Sequence, residues 1–99
     1  MSHRVRVLKR AQTDIDEIAI YIARDAPDAA QRMLDRLFDA MDGLAELPRR
    51  GALPHDARLR ALGYRFLVEG EYLIFYKVLR SEVRVYRVLH GKRIYQALL

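Results

Sequence analysis

Three stretches of this chain hold the side-chain types that chemistry needs. Asp14, Asp16 and Glu17 crowd three carboxylates together, His55 stands beside Asp56, and His90-Gly91-Lys92-Arg93 ends a run rich in Val, Tyr and Arg. The carboxylates invite a metal or acid–base reading. Their spacing, i, i+2, i+3, instead spreads them around a helix, and no His lies within one turn to complete a ligand set. A role at a helix start and in solubility fits them better. His55 and Asp56 do not read as a dyad, because sequence neighbours rarely face each other and no nucleophilic Ser or Cys is near. The cations are more informative. Arg65, His90, Lys92 and Arg93 are the candidates for meeting a target: Gly91 lets the chain turn, and the Arg93 guanidinium can then reach past a sheet edge to a carboxylate or phosphate. Arg49, Arg50, Arg58, Arg60, Arg84 and Arg87 are the candidates for an acidic partner.

The elements that position these residues follow from hydrophobic period. Residues 64–93 read as a three-strand antiparallel meander, rich in Val, Ile, Tyr and Phe, with hairpin turns at Glu69-Gly70-Glu71 and Arg80-Ser81-Glu82. Within it Tyr72, Ile74, Tyr76 and Val78 alternate with Leu73, Phe75 and Lys77, and Val83, Val85 and Leu89 alternate with Arg84, Tyr86 and Val88. Both faces are therefore apolar. A helical hairpin can cover one; the other needs residues 94–99, a partner or a second copy of the chain, since a bare apolar face is unusual for a monomer.

Before the meander, residues 3–8 read as a short strand whose place in the sheet is left open. From about Ala11 the period becomes helical, with Ala11, Ile15, Ile18, Ala19 and Ile22 on one side. Ala26-Pro27-Asp28 breaks that helix and starts another, which runs to about Leu47 with Ala30, Met33, Leu34, Leu37, Met41 and Leu44 as its apolar stripe and Pro48 as its stop. Residues 48–63 read as one long irregular connection bearing Arg49, Arg50, Arg58 and Arg60, and a connection of that length is usually functional or mobile.

Composition bounds the remainder. With 99 residues, 52% of them hydrophobic and 31% charged, the chain fits one globular domain over residues 1–99. It has no cysteine, which excludes disulfides and thiolate metal sites. No apolar run approaches the ~18 residues of a membrane span, and MSHRVRVLKR lacks the apolar core of a signal peptide, so a cytoplasmic protein without a membrane partner is expected. The net charge of +5 is uneven: residues 1–48 carry seven Lys and Arg against nine Asp and Glu, residues 49–99 eleven against four. A sheet half that basic favours an acidic counterpart, either nucleic acid or an acidic protein segment.

The ordered set Ala11, Asp14-Ile15, Ile18, Tyr21-Ile22, Ala30, Leu44, Leu47-Pro48, Gly51, Tyr64-Arg65, Tyr72, Ile74-Phe75-Tyr76 and Val88-Leu89-His90-Gly91-Lys92-Arg93 resembles the ParE/RelE superfamily of type II toxin–antitoxin toxins over nearly the whole chain. The resemblance implies an α+β fold, an N-terminal strand and a helical hairpin packed on the antiparallel meander, with a short basic C-terminal tail. RelE-like members cut messenger RNA on the ribosome, using an arginine after the tyrosine that opens the third strand and a tyrosine near the C-terminus. Here Leu73 holds the first place, and Tyr95 falls only two residues after Arg93. A leucine cannot stabilise a transition-state phosphate. The resemblance to the ParE branch therefore implies a non-enzymatic toxin, without metal or cofactor, that inhibits DNA gyrase and is neutralised by a ParD-like antitoxin.

The expected function is that of such a toxin, cytoplasmic, bound to gyrase through Arg65, His90, Lys92 and Arg93 and to an acidic antitoxin through the arginines at 49, 50, 58, 60, 84 and 87. A ribosome-dependent messenger RNA endoribonuclease is the alternative within the superfamily, and a small basic nucleic-acid-binding module the alternative outside it.

Overall fold

The computed structural model describes residues 2–93 and 95–99. It is mixed α and β, as expected. Strand β1 (Arg4–Val7) leads into helix α1 (Lys9–Ala23), and α2 (Pro27–Asp42) follows after a tight break at Ala26, with Pro27 opening its first turn. The helix ends at Asp42, short of the expected end at Leu47, and gives way to a 3-10 turn at Gly43–Ala45. Residues 48–63 are not one irregular stretch. They contain a short helix, α3 (Ala57–Ala61), whose first turn is capped by Asp56 accepting the Leu59 N–H at 3.0 Å. Five residues are too few for a helical period to register in the sequence. Asp56 is thus a helix cap, and His55 is exposed beside it.

The meander forms as read: β2 (Tyr64–Glu69), β3 (Tyr72–Val78) and β4 (Glu82–His90), with Gly70 at φ +60° in the first turn. The first strand takes the place that sequence left open. Sheet order is β1-β4-β3-β2, with β1 parallel to β4 and the other pairs antiparallel. One irregularity decides which side chains go where. Pairing slips between Phe75 and Tyr76, so that Arg87 stands opposite Phe75 and Val85 opposite Tyr76, leaving Tyr86 as the extra residue of a bulge. Strict alternation through β4 is therefore corrected: Val83, Val85 and Val88 all serve the helical face, while Leu89 joins the other.

The main core lies between the helical hairpin and the sheet, where Ile15, Leu37, Met41 and Leu44 meet Ile74, Tyr76, Val85 and Val88. Tyr76 is fully buried, yet its hydroxyl accepts the Gly51 N–H at 2.9 Å. A Cβ at Gly51 would stand 2.4 Å from that hydroxyl, so the close approach itself demands glycine. The second face is closed largely by the chain. Leu59 of α3, together with Tyr95 and Leu99 of the C-terminal turn, packs on Tyr64, Phe75 and Leu89, with the Tyr95 and Phe75 rings 5.0 Å apart. Ile94, expected to share this role, lies outside the described residues.

Candidate functional site at the helix–sheet groove

Strand β1 pairs with β4 only as far as Val85, and beyond that point α1 lies along the edge of β4. An uncovered strand edge needs hydrogen-bond partners. Asp14 supplies one. Its carboxylate accepts the Val88 N–H at 3.0 Å, and it also accepts Arg87 Nε at 2.7 Å and Arg87 Nη2 at 3.0 Å. Arg10 stands 3.6 Å away, one helical turn earlier. Asp14 is 5% exposed, whereas Asp16 and Glu17 face solvent. The reading of Asp14 as a helix-start carboxylate is thus corrected: the acids lie beyond the first turn of α1, and Asp14 is the buried anchor of the β4 edge. The same contact removes Arg87 from the partner-facing arginines. Its guanidinium is buried against Asp14, which holds it charged, and its Nη1 donates to the Leu98 carbonyl at 3.2 Å.

Above this bridge the surface opens into a groove of about 590 Å³ between α1 and the β3–β4 end of the sheet. Arg10, Arg24, Arg93 and His90 supply its cationic and imidazole groups, Glu17 and Glu71 its acids, and Tyr72 one wall. Ile20 and Tyr21 also line it and are 60% and 69% exposed, an unusual state for large apolar side chains on a helix. His90 is held on three sides. Its Nδ1 accepts the Lys92 N–H at 3.1 Å, which leaves the ring proton on Nε2, 3.5 Å from the Glu71 carboxylate, and its ring meets Tyr72 edge-on at 5.5 Å. Lys92 and Arg93 are exposed just beyond it.

Arg65 is not part of this group. Tyr76 stands opposite Arg65 while Tyr72 stands opposite His90, so the two lie at opposite ends of β3, and the grouping of Arg65 with His90, Lys92 and Arg93 as target-facing residues is corrected. The physical reason is the meander: β2 and β4 run in the same sense, so the start of one cannot meet the end of the other. Arg65 instead donates through Nη1 to the carbonyls of Arg49 and Gly51, which fixes the loop after the 3-10 turn. Arg49 and Arg50 line a shallow hollow with Leu47 and Pro48. Arg58 and Arg60 are internal ties in the free chain, Arg58 to the Gln96 carbonyl and Arg60 to the carbonyls of Pro54 and His55. Arg84 donates to Glu82. Sequence reading missed the groove residues Arg10, Ile20, Tyr21 and Arg24; the signal available was the pair of large apolar residues at 20 and 21, one more than a single buried stripe can use.

The comparisons agree with this architecture. Toxin RelE2 of Caulobacter vibrioides is 42% identical over 85 residues, spanning 86% of this chain and 91% of that protein. Toxin RelE1 of the same organism is 33% identical over 91 residues, spanning 92% and 96%. Among solved structures, the chromosomal ParDE toxin–antitoxin system from P. aeruginosa superposes with a TM-score of 0.75 at 16% identity, covering 90% of this chain and 96% of that one, which speaks for the fold. The family described as the ParE toxin of the type II toxin–antitoxin system, parDE, matches residues 5–95, and the chain belongs to that family.

Proposed function

We propose that this toxin acts on DNA gyrase without cleaving RNA, and that an acidic ParD-like antitoxin silences it in the cytoplasm. The observation that carries the branch assignment is the setting of Leu73. It follows Tyr72 at the opening of β3, where RelE-like nucleases use an arginine, and it packs into the apolar cluster of the second face. Tyr95 is likewise stacked on Phe75. Neither side chain is set to stabilise a phosphate or move a proton.

The antitoxin segment belongs in the groove. Ile20 and Tyr21 offer apolar anchors to a chain that orders as it binds, and Arg10, Arg24 and Arg93 offer partners to its carboxylates. Arg49 and Arg50 suit an extension of the same segment, since both are exposed. His90, Lys92 and Arg93 are the target-facing group. Antitoxin and target would then compete for Arg93, which accounts for neutralisation by occupancy.

A second reading, ribosome-dependent messenger RNA cleavage, is favoured by one arrangement: an imidazole, His90, beside Glu71 in the groove that also holds Arg93. A base, an acid and a phosphate-binding cation are the parts such cleavage requires. Messenger RNA in a translating extract, mapped for cuts by primer extension after toxin is added, separates the two. Intact message is expected. Cuts that vanish in His90→Ala or Tyr95→Phe would establish the nuclease reading instead.

A further inference from the structure

The face of the sheet opposite the helical hairpin has a cationic end that the groove does not explain. Strand register lines up Arg6 of β1, Arg84 of β4, Lys77 of β3 and Tyr64 of β2 in a single row across the sheet. Val5 and Val7 pack toward the helices, so Arg4 and Arg6 point to the opposite side. Neighbouring strands are about 4.8 Å apart, and like charges placed directly opposite destabilise a sheet. One carboxylate answers three of these cations: Glu82 stands opposite Arg4, lies 3.9 Å from Arg6, and accepts from Arg84, which pulls its pKa below the usual carboxylate value. Lys77 is not a loose solvated chain. Its ammonium rests over the rings of Tyr64 and Tyr86, at 4.5 Å and 4.9 Å from their centroids.

We infer that this row, Arg6, Arg84 and Lys77 with Arg4 at its margin, is a binding surface for the phosphodiester backbone of nucleic acid, taken without regard to sequence. The row keeps its charges pre-positioned at a cost in self-repulsion that bound phosphates would remove. Arginines suit phosphate oxygens, and backbone binding needs cations but no apolar anchor. An acidic protein segment does need such anchors to order on binding. The exposed large apolar side chains among the described residues, Ile20, Tyr21, Phe38, Leu47, Leu53, Leu62, Val68 and Leu98, all lie outside β1, β3 and β4. The inference is independent of the gyrase reading and of the groove.

The test is fluorescence anisotropy of a short labelled duplex of arbitrary sequence, titrated with purified toxin at several salt concentrations. Arg6→Gln with Lys77→Met removes two charges from the row and keeps most of the side-chain bulk. It should weaken binding by about tenfold or more and flatten the log–log salt slope by about two. Arg32→Glu on α2 changes net charge by the same amount far from the row and should leave binding nearly unchanged. Arg4→Gln, at the margin of the row and opposite Glu82, removes one charge and provides a milder variant should the double one fail to fold. Equal losses in the row and α2 variants would reduce the effect to bulk charge and overturn the proposal. So would unaltered duplex binding in folded row variants, absence of duplex binding by the parent chain, or loss confined to a poly-glutamate peptide probe.

Discussion

At the scale of single residues, Asp14 joins three parts of the molecule. Its carboxylate ties α1 to the β4 edge, and through Arg87 to the Leu98 carbonyl of the tail. Removing one member of a buried ion pair leaves the other charge unpaired, so Asp14→Asn should cost about 3–5 kcal/mol. Urea denaturation checks it; a loss under about 1 kcal/mol would make this an ordinary surface pair. Gly51 gives a second residue-scale prediction. Gly51→Ala forces a methyl against the Tyr76 hydroxyl and the Phe66 carbonyl and should cost about 1–3 kcal/mol. Tyr76→Phe should relieve only part of that penalty in the double variant, because the Phe66 carbonyl and the ring Cε1 would still stand 2.8 Å from the added methyl. Neither feature was legible in sequence. Asp14 and Arg87 are separated by 73 positions, and a long-range partner leaves no local periodic signal. Asp14 therefore looked like its exposed neighbours Asp16 and Glu17.

At the scale of elements, β2, β3 and β4 were legible because period-two alternation and short polar turns are local properties. The place of β1 was not, since a four-residue strand finds its parallel partner across almost the whole chain. The bulge at Tyr86 and the five-residue α3 were hidden for related reasons: one is an exception to alternation, the other too short to show a period. The tail was readable as a candidate cover, and Tyr95 and Leu99 do lie on the second-face cluster. Deleting residues 95–99 would uncover Phe75 and Leu89 and remove the carbonyls that Arg58 and Arg87 bind. The expected result is a lower melting temperature with increased binding of an apolar dye. An unchanged melt would mean that the tail contributes nothing to the cover. Arg93→Ala, by contrast, should leave the melt alone and abolish growth arrest, because Arg93 is exposed.

At the scale of the whole molecule, the groove and the opposite sheet face each draw cations from both halves of the chain, Arg10 and Arg24 with Arg93 in one and Arg4 and Arg6 with Lys77 and Arg84 in the other. The uneven charge of the sequence therefore does not by itself locate either surface. Tyrosine burial sets the alkaline limit of the fold. Burial is the leading cause that raises the pKa of Tyr64, Tyr72 and Tyr76 above 10.0. The folded state keeps protons that the unfolded state loses, so this stabilisation is complete below pH 10 and is lost as pH rises through the folded values. Tyrosinate absorbance followed with circular dichroism should therefore show the buried tyrosines ionising only as structure is lost. Simultaneous titration of all six tyrosines with the fold intact would contradict it.

Gyrase is the direct test of what the molecule does. Purified toxin added to gyrase, ATP and relaxed plasmid should arrest supercoiling and accumulate cleaved DNA, Arg93→Ala should fail to do so, and pre-incubation with the acidic antitoxin should restore supercoiling. Undisturbed supercoiling at toxin concentrations in excess of gyrase, by protein that arrests growth in cells, would contradict the account.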